Sequence, residues 1–476
     1  NVKEMGSKWD GKFENGVATE DNNNHNKKAS FYYDYGDYLY RKEVVWGNST
    51  GASTIEEGRQ FIKDYDYMLL DGNTFESRMS DYNSEEDFWK DHGLTEDTFE
   101  PAVLGNRWSV KVKDKSKSSY KEILSKIDEE PVTSMYQAFE DCAFLTTAPK
   151  IPDSITNIDY AFRGCSSLVS APSIPNNITS MYGTFCNCQS LAMTPVIPNG
   201  ITNMSCTFYN CASLTTAPTI PSSVTDMDAT FQSCTSLTDA PDMSNASSVM
   251  SMYGTFWGCK SLTTAPTIPN SVTNMMYTFT DCISLTDAPD MSNASSVMSM
   301  YGTFSGCTSL TVVSVIPINV TDMTETFNGC ASLTTIAKIP SKVENLSYTF
   351  FDCTSLVTAP NMSEANGTIY MDNAFENCTS LTVAPTIPNS VTSMDCTFKN
   401  CTSLTTAPII PSNVTCNIMR TFEFCTSLTG TVTINANPEY YEDCFQGTTK
   451  SITLTGSSTI LSEIATTANN NNVTVK

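Results

Sequence analysis

From about Pro131 onward the apolar positions recur in a fixed rhythm. One stretch carries the pattern: Ser213-Leu-Thr-Thr-Ala-Pro-Thr-Ile-Pro-Ser-Ser-Val-Thr-Asp-Met-Asp-Ala-Thr-Phe-Gln-Ser-Cys234. Val224, Met227, Phe231, Cys234 and Leu237 stand 3, 4, 3 and 3 residues apart, which predicts one buried face of a short helical stretch. The Pro-Ser-Ser segment supplies its start, and Pro221 stops the element before it. Residues 214–220 are predicted to be extended but irregular, or strand only in part, because their Ala-Pro pair lacks a ladder donor.

The cysteines set the register: Cys142, Cys165, Cys188, Cys211, Cys234, Cys259, Cys282, Cys307, Cys330, Cys353, Cys378, Cys401 and Cys425. Most intervals are 23 residues, with three of 25 and one of 24, giving thirteen copies. A unit this short cannot bury its own apolar face, so the copies must stack. The longer copies carry Pro-Asp/Asn-Met-Ser, as at Pro241-Asp-Met-Ser244, and their two extra residues are expected to bulge at an outer edge. Residues 236–256 and 284–304 are identical over 21 positions, which marks duplication of a 48-residue, two-coil block. Further on, residues 431–434, 451–454 and 473–475 recur as strand-like segments. Helix-like stretches at 438–445 and 460–468 lie between them, with a turn over 469–472. The expected architecture is an α/β solenoid of about thirteen regular coils over 126–430, closed by atypical terminal coils over 431–476.

Residues 1–125 read differently. They hold 17 of the 27 basic residues, many aromatics and no repeat. Strands are predicted over 31–40, 43–46 and 108–112, helices over 55–70 and 85–91, and a polar loop over 22–28. A short amphipathic helix over 120–128 could cap the first coil. The whole is expected to be a small N-terminal α+β domain serving anchoring, oligomerisation or capping.

The phrase Met-x-x-x-Phe-x-x-Cys-x-Ser-Leu, followed by Ile-Pro or Met-Ser and then Val-Thr, resembles the BspA-like leucine-rich repeats over roughly residues 132–428. The resemblance implies a right-handed leucine-rich-repeat fold and an extracellular role in adhesion. It implies nothing about residues 1–125.

Composition narrows the chemistry. The net charge of −24 repels phosphate backbones and excludes nucleic acid as an expected partner. No stretch approaches the roughly 20 apolar residues of a membrane span. No charged-then-apolar leader opens the sequence, so any signal peptide is expected to have been removed already or never to have been part of this sequence. The only histidines are His25 and His92, so the repeats can hold neither a Ser-His-Asp arrangement nor a histidine zinc site. No catalytic residue, cofactor or metal is expected. Asp239 with Asp242, and Asp287 with Asp290, recur in the duplicated block but are too few for a calcium site.

The thirteen in-register cysteines are expected to form a reduced structural ladder, because parallel side chains point the same way and not at each other. Cys186, Cys206, Cys396, Cys416 and Cys444 lie off that register. A threonine follows the repeat leucine in ten of thirteen copies, as at Thr215, Thr238, Thr263 and Thr286. Such a row either stabilises the stack through cross-strand packing or offers a flat binding face for ice or a glycan. Thirteen Asn-x-Ser/Thr sequons, Asn177, Asn319 and Asn413 among them, follow mostly from the repeat phrases. The expected function is a secreted or surface-displayed binding protein whose repeat face meets a host or neighbouring-cell protein or glycan. The alternative is a structural subunit that self-assembles, in a filament or on a virion surface.

Overall fold

A computed structural model of the chain describes residues 9–14, 17–20, 27–35, 38–46, 99–104, 107–112, 134–143, 145–148, 150–468 and 472–476. It contains two compact units, Asn1–Leu214 and Thr215–Lys476, and each holds copies of the repeat.

In the first unit, three antiparallel hairpins precede the repeats. Strand β1 (Trp9–Glu14) pairs with β2 (Val17–Glu20), β3 (Lys27–Tyr35) with β4 (Tyr38–Trp46), and β5 (Phe99–Leu104) with β6 (Arg107–Val112). Strands are present within 31–46 and over 108–112, but the strand expected over 31–40 is divided, with Tyr35 ending β3 and Tyr38 beginning β4, which runs on through 43–46. Lys27 and Lys28, assigned from sequence to a polar loop, instead begin β3 opposite Trp46 and Val45. The helices expected over 55–70, 85–91 and 120–128 lie outside the described residues, as do residues 22–26 of that loop.

The repeat itself departs from expectation in one respect. Its apolar face is buried as predicted: Val224, Met227, Phe231, Cys234 and Leu237 are all fully inaccessible. The backbone carrying it is a chain of tight turns, not a helix. In the Cys142 coil, the amides of Ala138, Glu140 and Cys142 bond back three residues, at 3.0, 3.2 and 3.1 Å. The alternate amides of Met135, Gln137, Phe139 and Asp141 point along the stack to carbonyls of the next coil, at 2.6–3.2 Å. This alternation requires left-handed residues five and one before each ladder cysteine, for example Gln137 (φ 55°) and Asp141 (φ 58°), or Gly302 (φ 59°) and Gly306 (φ 73°). A left-handed residue interrupts the run of right-handed dihedrals, so its own amide points along the stack and the i→i−4 bonds of an α-helix cannot form. Asn, Asp and Gly tolerate that conformation best.

On the opposite side of each coil the extended segment makes single parallel bridges, such as Thr216↔Asp239 and Asp239↔Thr264. Ten coils place proline seven residues after the cysteine, as at Pro218, and proline cannot donate there. The coils of Cys307, Cys330 and Cys425 lack it. Those three form strands: β7 (Val312–Val313), β8 (Thr335–Ile336) and β9 (Gly430–Thr433). In the first pair, the Ala337 amide, at the proline position, bonds Val313 O at 2.8 Å. Ala337→Pro should delete that bond and lower stability by about 0.5–1.5 kcal/mol. Urea unfolding of the variant against wild type measures it.

The second unit closes on a parallel sheet of β9, β10 (Ile452–Thr455) and β11 (Val473–Val475), in the order β11-β10-β9. Helix α1 (Leu461–Thr467) connects β10 to β11 and buries Leu461 and Ile464. The other helix expected here, over 438–445, is again a turn segment. Its backbone accepts amides from Ile418, Arg420, Phe422 and Phe424, and the Phe445 ring stacks on Phe422 at 5.3 Å. Of the turn expected over 469–472, residues 469–471 lie outside the described residues.

Candidate interaction surface

The interior of each unit consumes its own polar groups. Phenylalanines stack through it with near-parallel rings. Phe139, Phe162, Phe185 and Phe208 do so in the first unit at 5.5–5.8 Å. The second unit continues the pattern from Phe231 to Phe445, as at Phe256–Phe279 and Phe279–Phe304, both 5.4 Å. A threonine precedes most of them and is buried. Thr278 Oγ1 donates to the carbonyls of Met252 (2.9 Å) and Met275 (2.7 Å), and Thr326 repeats the arrangement with Met300 and Met323. Among the described residues, Ser390 Oγ is the one buried side-chain oxygen without a partner.

The structure places the in-register cysteines in this interior as free thiols. From Cys165 to Cys211 and from Cys259 to Cys425 the ladder thiols donate to the phenylalanine carbonyl of the preceding coil, as Cys165 does to Phe139, Cys282 to Phe256 and Cys307 to Phe279, at 3.1, 3.1 and 3.0 Å. That carbonyl already accepts the cysteine amide of its own coil, as Phe139 O does from Cys142 N. Burial is the main reason the Cys282, Cys330 and Cys378 thiols are pushed well above the ordinary value of 9.0. Off the ladder, burial raises Cys186 to about 11 and Cys396 to about 12. Cys416 is exposed. Iodoacetamide at pH 7.5 should therefore modify Cys416 first in the native protein, and all eighteen cysteines after unreduced denaturation. Mass spectrometry of the two samples reads this directly, and few thiols in the denatured sample would mean disulfides instead.

Thr215, Thr238, Thr263 and Thr286 lie exposed in one row. The hydroxyls of Thr238 and Thr263 are turned into the stack: Thr238 Oγ1 contacts Thr215 O at 3.4 Å and Thr263 Oγ1 contacts Thr238 O at 3.2 Å. Thr286 Oγ1 reaches Asp287 Oδ2 at 2.9 Å. The residue after each is also exposed (Thr216, Asp239, Thr264, Asp287), so the surface is a regular strip two residues wide. Asp242 and Asp290 sit apart from it as turn caps, accepting the Ser244 and Ser292 amides at 2.9 Å. Those backbone bonds hold both carboxyls below the usual range. The sequon asparagines are likewise engaged, with Asn177, Asn319 and Asn413 each donating Nδ2 to a carbonyl of the coil before.

A second surface, absent from the sequence reading, lies on the outer side of the turns. In the first unit Tyr136, Tyr160 and Tyr182 form an edge-to-face row at 6.1 and 5.0 Å. In the second, Tyr253, Tyr277 and Tyr301 do the same at 5.7 and 5.1 Å, and Trp257 lies against Tyr277 at 5.5 Å and 18°. The Tyr277 ring lies over Gly302, where a Cβ would come within 2.7 Å of it; Tyr160 lies over Gly183 in the same way, at 2.6 Å. The signal for this row was present as tyrosines six or five residues before the cysteines. It was hidden because a helical reading places those positions on an ordinary solvent face.

Stacked turn-and-bridge coils around a phenylalanine, methionine and leucine core define a leucine-rich-repeat solenoid. The chain belongs to the family described as BspA type leucine-rich repeat region. The family profile, with six copies, matches residues 133–252, 159–286, 242–358, 276–405 and 363–476. A leucine-rich repeat protein from Bacteroides ovatus shares the fold at 23% identity and a TM-score of 0.50, over 72% of this chain and 87% of its own. A leucine-rich cell surface protein from Faecalibacterium prausnitzii aligns at 25% identity and a TM-score of 0.31, over 47% of this chain and 68% of its own. No curated protein matches the chain by sequence.

Proposed function

We propose that the chain is a non-enzymatic binding protein, secreted or displayed on a cell surface, whose solenoid presents an extended face to a protein or glycan of a host or neighbouring cell. Residues 1–125 would attach it, residues 126–430 would form the presenting array, and residues 431–476 would close it. The observation that carries this reading is the division of labour in each coil. Thiols, buried threonines and backbone groups are spent inside the stack, while a regular strip including Thr215, Thr238, Thr263 and Thr286 is left outward. Membership of the BspA-type family supports surface display. The sequence favours binding over catalysis, since histidine is absent from the repeats.

Self-assembly is the second reading, and one observation favours it. Strand β11 is the outer strand of the terminal sheet, with Val475 40% exposed, and an outer strand offers unpaired backbone groups to another chain. Immunogold labelling of the native source, covering cells and released particles, separates the two. Label on the cell envelope is expected. Label confined to virions or ordered filaments would replace adhesion with assembly.

A further inference from the structure

We infer that the aromatic belt of Tyr253, Trp257, Tyr277 and Tyr301 is a docking site for arginine-bearing segments of a partner protein. The inference rests on the surface-binding reading above and names the partner chemistry for one part of that surface.

The fold does not require aromatic residues at these positions. The equivalent outer places of the Cys234 coil are Asp228, Ala229 and Gln232, and those of the Cys330 coil are Thr324, Glu325 and Asn328. Four large rings therefore gather on three consecutive coils between polar neighbours, and Tyr253 is 37% exposed. Carboxylates hold the belt at its polar edge. Asp281 Oδ2 accepts from Trp257 Nε1 and Glu325 Oε1 accepts from Tyr301 OH, both at 3.3 Å. Asp281 Oδ1 packs against Gly306, and Glu325 is bonded here through Oε1.

The first unit shows what completes such a row. Tyr160 occupies the same register as Tyr277, five residues before the ladder cysteine. The Arg163 guanidinium lies 5.6 Å from the Tyr160 ring centroid and bonds Glu140 at 3.0 Å. Ring face, cation and carboxylate form one internal unit there, as cation–π attraction favours. In the Tyr277 coil the place of Arg163 is held by Thr280, which is buried and donates to Gly302 O. The turn segments of the Cys234 to Cys353 coils, residues 226–234, 251–259, 274–282, 299–307, 322–330 and 345–353, contain no lysine or arginine. Residues 215–476 carry twenty acidic against seven basic side chains. The belt thus has the rings and the carboxylates of the Tyr160 arrangement without its cation. Over Tyr277 the stacking position is taken by Trp257, with Gly302 against the ring, so a guanidinium supplied by a partner would stack on the half-buried Trp257 at the outside of the belt and pair with Asp281 or Glu325. An anionic glycan would meet only like charge.

Trp257 is the sole tryptophan of the repeats, so its emission, obtained by subtracting a Trp257→Phe variant, reports on the belt in the full-length protein. The probe is an oligoarginine peptide titrated at physiological ionic strength. Binding with a change in Trp257 emission is expected, weakened at least tenfold in Tyr277→Ala and in Asp281→Asn/Glu325→Gln. An Asp242→Asn/Asp290→Asn variant, which removes the same charge from the other edge, should bind as wild type does. Equal weakening in that control would reduce the effect to bulk electrostatics and overturn the site. A Trp257 response to neutral oligosaccharides but not to oligoarginine would overturn it in favour of a glycan, and no response to either would end it. Circular dichroism of each variant guards against misfolding, and the charge variant tests the site with every ring in place. Envelope labelling alongside a failed titration would remove this inference alone; absence of envelope labelling would remove the reading beneath it.

Discussion

The repeat coils are expected to lose stability and unfold as pH rises above 9. Burial raises the thiols of Cys165, Cys188, Cys259, Cys282, Cys307, Cys330, Cys353, Cys378, Cys401 and Cys425 above the ordinary value of 9.0. Below that value both folded and unfolded chains keep these thiols protonated, and they contribute no pH dependence. Above it the unfolded chain releases their protons while the folded chain retains them. Stability therefore falls as pH rises, until the folded values are reached. One group contributes up to about 1.4 kcal/mol per pH unit, and each of these coils carries one, so every coil is weakened together with the neighbours it leans on. Far-ultraviolet circular dichroism and thiolate absorbance, followed together from pH 8 to 11, should change in one coincident transition. Structure persisting unchanged to pH 12 would contradict the buried, protonated ladder.

The second large effect is expected from Phe279→Ala, a loss of about 3–5 kcal/mol. The Phe279 ring is fully buried between Phe256 and Phe304, in contact on both faces. Removing it opens a cavity that the neighbours cannot close, because each is fixed by its own stacking partner and by the inter-coil amide bonds. The Phe256 and Phe279 amides donate to Thr278 O and Thr303 O, both at 2.8 Å. Coils couple only to their neighbours, so the damage should be local. Hydrogen exchange should accelerate in the Cys259, Cys282 and Cys307 coils and remain near wild type around β9 and β10. Uniform acceleration across the chain would mean that the array unfolds as one block.

Much of this architecture was legible in the sequence. The register and the inward positions followed from the spacing of Met, Phe, Cys and Leu, and the scarcity of regular strand in the extended segments from where proline stands. The same proline argument accounts for the exceptions that the structure adds, since the three coils lacking it are those with two or more consecutive ladder residues. The turn backbone was missed because a run of turns and a short helix return apolar residues at nearly the same interval. The distinguishing signal lay at the position just before each cysteine. Asp141, Gly164, Asn187, Asn210, Gly258, Asp281, Gly306, Gly329, Asp352, Asn377 and Asn400 are the residue types that enter the left-handed region most readily. The buried threonine row was missed for a related reason, as a polar residue beside phenylalanine reads as exposed until an inter-coil carbonyl is known to meet it. The aromatic belt depends on which outer positions of separate coils become neighbours, and one-dimensional spacing carries that only once the turn geometry is in hand.

The duplicated block has a consequence for how such a chain can change. Across its two copies the local contacts repeat almost to the ångström: Thr238 to Asp239 at 3.0 Å and Thr286 to Asp287 at 2.9 Å, with the Asp242 and Asp290 caps both at 2.9 Å. Unequal recombination between the copies would excise or add 48 residues at a join indistinguishable from the parent sequence. Every coil would still meet a neighbour of the type it expects. Reach is thus a heritable variable that can shift in whole steps without passing through a misfolded intermediate length. One lineage could carry long and short forms of the same repeat chain side by side.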